Sequence, residues 1–295
     1  MELAALLAGE RDRVDAALDR LLPAAHEWPA RLHEAMRYAV FGGGKRVRPI
    51  LARAACRAAG GDPETVLEAA SALEMIHTYS LIHDDLPALD DDTLRRGRPT
   101  VHVAYGEAVA ILAGDALLTE AFAVLGRLPA GDALAVRRAG ACRLVAEAVG
   151  SRGMVGGQVE DIEATGAVAD GARLERIHRT KTGALLGAAV ELGALLAGAD
   201  GARRQAFADF GRRLGLLFQI ADDILDVTGT AASLGKTPGK DAAAGKLTYP
   251  AVWGLDAARK ELEALAGSLV QEAEMLEGGG GLLGALVGYV ARRDR

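Results

Sequence analysis

Five carboxylates, Asp84, Asp85, Asp90, Asp91 and Asp92, crowd into nine residues at the end of an apolar run, and Arg95 and Arg96 follow directly. Like charges this close repel, so a folded chain must either leave them in solvent or bind cations among them. A solvated acidic loop is one reading. The other is a site for a hard divalent ion such as Mg²⁺, which takes one or two carboxylates and completes its shell with water and substrate phosphate oxygens. The two arginines would then meet those phosphates. A second acidic set closes another apolar stretch, Phe218-Gln219-Ile220-Ala221-Asp222-Asp223-Ile224-Leu225-Asp226. Asp222 and Asp226 stand four residues apart and share one face of a helix, an arrangement that an apolar helix rarely carries without a partner.

Cations gather in turn-like places. Gly42-Gly43-Gly44-Lys45-Arg46-Val47-Arg48 sets three glycines, whose backbone lets an anion approach, before three positive charges. The spacing is not that of a P-loop, because Lys45 precedes Arg46 rather than Ser or Thr and no strand precedes the glycines. Diphosphate binding and a plain interhelical turn are both open there. Of 34 basic residues, 28 are arginine and six are lysine. Five of those lysines, Lys45, Lys181, Lys236, Lys240 and Lys246, sit beside Gly, Thr or Asp, where a compact point charge differs in use from a guanidinium. His77 lies seven residues before Asp84, two helical turns back on nearly the same face, and reads either as a core histidine or as one facing a ligand.

These groups must be held by helices. Half of the 295 residues are apolar and only 4% are aromatic, with abundant Ala, Leu and Gly, a composition that favours close-packed helices over sheet. Apolar spacing predicts helices over residues 2–22, 29–41, 50–60, 65–86, 103–126, 132–150, 172–180, 184–199 and 202–226, and no strand. Pro87 should break the acidic helix near Leu86. On an unbroken helix Asp84 and Asp90 would stand about 120° apart. Lys181-Thr182-Gly183 should interrupt the chain between two helices. Gly153 to Asp161 puts Gln158 and Asp161 on one helix face, with glycines that permit close packing.

A net charge of −6 and a pI near 5.6 make nucleic acid an improbable partner. Cys56 and Cys142 have neither the number nor the spacing of a disulfide framework or zinc site. The first residues lack the basic start and unbroken apolar run of a signal peptide, and the apolar stretch 184–199 is short for a bilayer span. A cytoplasmic setting with no transmembrane segment is the expectation. If the two acidic helices face one another across a bundle, with basic turns around the rim, they make a Mg²⁺ cage for a diphosphate above an apolar cavity.

With those residues in view, the chain resembles the trans-isoprenyl diphosphate synthases, most closely the bacterial farnesyl diphosphate synthase type. Asp84-Asp85-Leu86-Pro87-Ala88-Leu89-Asp90 resembles the family's first aspartate-rich motif with a two-residue insertion, and Asp222-Asp223-Ile224-Leu225-Asp226 resembles the second. The resemblance runs from about Leu32 to Arg293. It implies an all-α fold, a single domain over residues 1–295 built as a helical bundle around a central apolar cavity, usually a homodimer. It implies Mg²⁺, three ions when substrate is bound, held by Asp84, Asp90 and Asp222 with Asp85, Asp223 and Asp226 in or beside the same shell. Lys45, Arg48, His77 and Arg96 would bind isopentenyl diphosphate. Arg95, Lys181, Lys236 and Lys246 would grip the allylic diphosphate, with Thr182 and Gln219 near the reacting carbon. Tyr79, five residues before the first aspartate, and Ser80 beside it would limit product length, and an aromatic at 79 favours the C15 product, farnesyl diphosphate. The alternatives are a C20, geranylgeranyl diphosphate synthase, a terpene cyclase, and a noncatalytic partner subunit. Against the cyclase stand Arg95-Arg96 and the Lys45 to Arg48 stretch, which suit a second substrate. Against the noncatalytic subunit stand two intact acidic motifs.

Overall fold

A computed structural model describes residues 3–166, 168, 170–228, 245–279 and 281–292. Among these residues it is all-α apart from one hairpin of two-residue strands. The chain forms two compact units, the first made of Met1–Arg53 with Pro63–Cys142 and the second of Ala54–Asp62 with Arg143–Arg295.

The first unit contains α1 (Leu3–Leu21), α2 (Ala30–Val40), the start of α3 (Val47–Ala58), α4 (Leu67–Asp84), the hairpin β1 (Leu94–Arg95) and β2 (Arg98–Pro99), α5 (Val101–Tyr105) and α6 (Glu107–Arg127). Its centre is α4, which packs against α1, α2 and α6. Ala69, Ala70, Ala72, Leu73, Met75 and Ile76 are all buried, so this helix is apolar almost all round rather than along one stripe. α3 starts at Val47, earlier than the expected residue 50, because Pro49 falls in its first turn, where a backbone N–H has no helical acceptor. The expected helix 103–126 is split at Gly106, whose φ of +88° leaves the helical region. The hairpin contradicts the expectation of no strand. Its turn is Arg96-Gly97, both at positive φ (53° and 75°), the backbone that tight hairpins require. Two residues per strand are too few for any alternation to show in the sequence.

The second unit holds the end of α7 (Ala135–Val149), then α8 (Met154–Ala164), α9 (Gly171–Ile177), a π-helical turn (His178–Gly183), α10 (Ala184–Ala197) and α11 (Gly201–Thr228). Among the described residues three further helices follow, Tyr249–Trp253, Leu255–Glu277 and Leu282–Ala291. Asp170 starts α9 by accepting hydrogen bonds from the Ala172 and Arg173 amides at 3.0 and 3.3 Å. The expected break at Lys181 to Gly183 is instead the π turn, so helical backbone continues from Gly171 to Ala197. The reason is packing on both sides. A Cβ on Gly157 of α8 would fall 2.4 Å from the Lys181 amide nitrogen, and one on Gly215 of α11 would fall 2.5 Å from Gly183 Cα. Glycine at these two positions lets α8 and α11 close on the turn from its flanks. Glu107–Arg127 and Gly171–Ala197 are long and apolar enough to cross a membrane, a test that core helices also pass, and the second is mostly buried within its own unit.

Candidate active site

In the first unit, α4 ends at Asp84 and the chain folds back on itself. The Asp90 amide donates to the Asp84 carbonyl at 2.9 Å, Asp91 to Leu86 at 3.1 Å and Asp92 to Asp85 at 3.2 Å. Pro87 thus ends the helix where expected, and the turn sets Asp84 beside Asp90 rather than about 120° away on a continuing helix. Both residues are half-buried. Asp85 is treated differently. It is buried and accepts two hydrogen bonds from Arg95 Nε, each at 2.8 Å, across the hairpin. Burial works against the Arg95 charge, but the hydrogen bonds and charge of Asp85 outweigh it and raise the guanidinium pKa.

The glycine-rich turn divides its cations the same way. Arg46 points into the unit, held at 3.0 Å by the buried Glu74 of α4, at 2.6 Å by Asp15 of α1 and at 2.7 Å by the Val40 carbonyl. Lys45 is exposed and Arg48 half-buried. Arg96, at the hairpin tip, donates to the Gly43 carbonyl and so ties the hairpin to the glycines. Burial, reinforced by the charge of Arg96, lowers the Arg48 pKa to about 10 despite Glu74. His77 is pushed well below the ordinary imidazole range by burial and then by Arg48, Arg96, Arg95 and Arg46. Four guanidinium groups therefore bear on one neutral imidazole. Arg46 and Arg95 have carboxylate partners in Glu74 and Asp85, and the positive charge gathered here is of a kind that suits an anion. Beside it lies a cleft lined in part by Thr78, Asp85, Arg95, Arg96 and Arg98.

On the buried face of α4, Tyr79 is almost fully enclosed, and burial together with Asp84 pushes its phenol up to about 12. Ser80 turns its hydroxyl back to the His77 carbonyl at 2.9 Å.

In the second unit, a cleft is lined by Asp161, Ile177, His178, Lys181, Thr182, Gln219, Asp223, Lys246, Leu247 and Thr248. The π turn aims Lys181 at Asp161 (2.6 Å) and Thr182 at Gln219, whose Oε1 accepts from the hydroxyl at 2.6 Å. Asp223 is buried, like Asp85. One of its oxygens lies 3.3 Å from His178 Nε2 and accepts from the Tyr249 amide at 2.7 Å. That contact, with Leu247 packed among Ala164, Leu174 and Ile177, anchors the segment that carries Lys246. Asp222 and Asp226 are half-buried one turn apart on α11. Lys236 and Lys240 lie outside the described residues.

The structure thus gathers Arg48, His77, Arg95 and Arg96 in one unit and Lys181, Thr182, Gln219, Asp223 and Lys246 in the other. Sequence reasoning missed Asp161 and His178 as members of the second cleft, and Glu74 as the counter-charge of the first. Asp161 had a signal, being one helical turn after Gln158 on the glycine-lined face. His178 and Glu74 had none, since each sits in an ordinary helical pattern.

Among the described residues no three His, Cys, Asp or Glu side chains already form a metal cluster. Carboxylate oxygens nevertheless suit a hard ion that takes its remaining ligands from water and phosphate, and Asp84 and Asp90, whose backbones the turn joins, are residues of that kind.

An all-α chain with acidic helix ends and preformed cation clusters belongs to the class of helical enzymes that act on diphosphate esters. Comparison with known proteins names the family: the chain belongs to the polyprenyl synthetase family, whose model matches residues 29–277. It is similar to farnesyl diphosphate synthase of Geobacillus stearothermophilus, 43% identical over 285 residues that cover 97% of this chain and 96% of that one. It is also similar to the large subunit 1 of a chloroplastic heterodimeric geranylgeranyl pyrophosphate synthase of Arabidopsis thaliana, 49% identical over 256 residues, covering 85% of this chain and 68% of the relative. Among solved structures, geranylgeranyl pyrophosphate synthetase of Pyrococcus horikoshii superposes with a TM-score of 0.86 at 28% identity, covering 99% and 98% of the two chains. The protein is a trans-isoprenyl diphosphate synthase, a prenyltransferase of isoprenoid biosynthesis. The family uses divalent metal ions to bind diphosphate.

Proposed function

We propose that this chain condenses isopentenyl diphosphate head to tail with dimethylallyl and then geranyl diphosphate, and stops at the C15 product, farnesyl diphosphate. The observation that carries the chain length is Tyr79, an aromatic ring buried in α4 five residues before Asp84. The C20 product is the second reading, favoured by the names of relatives such as the Arabidopsis subunit.

The residue roles follow from chemistry. Asp84 and Asp90 of the first unit and Asp222 and Asp226 of the second would hold Mg²⁺, which would neutralise charge on the leaving diphosphate. Arg95, Lys181, Lys236 and Lys246 hold the allylic diphosphate. Lys45, Arg48, His77 and Arg96 hold isopentenyl diphosphate, whose charge relieves the repulsion among the guanidinium groups. Asp85 keeps Arg95 charged and aimed. Thr182 and Gln219, already hydrogen-bonded to each other, present oxygens to the cationic carbon. The allylic C1–O bond breaks with its electron pair leaving on diphosphate. The isopentenyl double bond attacks C1 to form the new C–C bond, and the tertiary cation loses its C2 proton to the departing diphosphate. No side-chain base is needed.

We further read both units as parts of one synthase domain, which the family match across both supports. The assembly proposed is a homodimer in the cytoplasm. Ile111 and Leu112 on α6 and Val103 on α5 are exposed apolar residues of the kind a second copy would cover.

Purified protein incubated with Mg²⁺, isopentenyl diphosphate and dimethylallyl diphosphate should give mainly a C15 alcohol after dephosphorylation and chromatography. A dominant C20 peak would reject the chain-length reading, and no elongation at all would reject the reaction.

A further inference from the structure

Tyr79 does not hold its place alone. Four residues on, His83 lies edge-on to it, with ring centroids 5.7 Å apart and planes at 81°. Spacing of four on a helix makes this contact natural, and edge-to-face geometry is the favoured one for such rings. The far end of His83 is fixed as well. Its Nε2 is 3.1 Å from the Ile111 carbonyl on α6, which can only accept, so Nε2 carries the proton and donates. Asp115 stands nearby, its Oδ1 3.9 Å from the same nitrogen. The ring fits there because residue 114 is glycine: a Cβ at Gly114 would come within 2.2 Å of His83 Nε2 and 2.5 Å of its Cδ2. A chain of contacts therefore runs from α6 through His83 to the ring of Tyr79.

We infer that His83, seated on Gly114 and bonded to Ile111, is a positioning residue that sets the orientation of Tyr79 and thereby the length of the product. The inference rests on the reading of Tyr79 as the limit of the growing chain. Without the brace the phenol ring has other rotamers to visit, and each one that swings aside opens space for a further C5 unit. A methyl group on residue 114 and removal of the His83 ring have the same consequence by opposite means, one displacing the brace and the other deleting it.

The test compares wild type with Tyr79→Ala, Gly114→Ala, His83→Ala and the double variant His83→Ala/Gly114→Ala. The C20 to C15 product ratio is measured with Mg²⁺, isopentenyl diphosphate and geranyl diphosphate, alongside circular dichroism and melting temperature as a check on folding. Tyr79→Ala should lengthen the product. Gly114→Ala and His83→Ala should each raise the ratio by about tenfold, the size of one lost hydrogen bond or aromatic edge contact. The double variant should match His83→Ala, because the added methyl then has no ring to displace. If Tyr79→Ala lengthens the product while the other variants keep the wild-type ratio, or lose only turnover, the brace is refuted and the chain-length reading stands. If Tyr79→Ala leaves the ratio unchanged, the chain-length reading falls and takes the brace with it. Should Gly114→Ala fail to fold, His83→Ala decides the question, since it removes atoms rather than adding them.

Discussion

Glu74 and Arg46 form a buried ion pair whose side chains are 3% and 2% exposed, and it ties the glycine-rich turn to the core helix α4. Glu74→Gln keeps the shape and an acceptor oxygen but leaves the guanidinium without its enclosed counter-charge. Removing one partner of a buried pair costs about 3–5 kcal/mol. Asp15 still reaches Arg46 at 2.6 Å, but its side chain is 36% exposed and screened, so the loss should fall at the lower end, about 3 kcal/mol. Arg46→Met should cost a similar amount by stranding Glu74. The double variant Arg46→Met/Glu74→Leu should recover most of both losses, because an apolar pair of matching volume is often as stable as the ions it replaces. Urea unfolding of wild type, Arg46→Met, Glu74→Leu and the double variant closes the cycle, with Glu74→Gln measured beside them. A Glu74→Gln loss below about 1 kcal/mol would mean that Asp15 and the Val40 carbonyl suffice for Arg46. A double variant as unstable as the sum of the singles would mean that the two residues do not act as a pair. Either result would sink the argument that Arg46 is the anchor of this turn rather than a ligand for phosphate.

Two further predictions concern function and pH. His77 has its folded pKa held well below the usual imidazole value, so between that folded value and about 6.5 only the unfolded chain takes up the proton. Its contribution to stability is therefore complete above about pH 6.5 and is lost as pH falls toward the folded pKa, and wild type should lose more stability than His77→Asn on acidification from pH 7 to 5.5; equal losses would contradict the burial argument. Asp85→Asn removes the charge that aims Arg95, so kcat/KM for the allylic substrate should fall by about 10–100-fold, about 1.4–2.8 kcal/mol, while the Mg²⁺ dependence changes little. A shift in Mg²⁺ requirement as large as that of Asp84→Asn would assign Asp85 to the metal instead.

Much of this protein is written in local patterns. Helical periodicity located α1, α2, α4 and α11 to within a few residues, because each has a stripe or cylinder of apolar residues long enough to count. Pro87 announced the end of α4, since a ring in place of an N–H acts on its own neighbours wherever the chain goes. The spacing of Asp84, Asp90, Asp222 and Asp226, and the placing of scarce lysines at turns, point to diphosphate chemistry from residue type alone. Other features depend on which distant segment arrives next to a residue. Asp84 and Asp85 are identical and adjacent in sequence, yet Asp85 is buried against Arg95 while Asp84 is left half-exposed beside Asp90. Arg46 and Arg48 are two residues apart, and Glu74 takes the first inward. His178 enters the second cleft only because α11 brings Asp223 to it, and the π turn exists because Gly157 and Gly215 admit two helices to its flanks. Burial of a charge, and the partner that makes burial tolerable, are properties of packing between segments far apart in sequence; residue type states what a group can do, and only the folded chain decides which of several like groups does it.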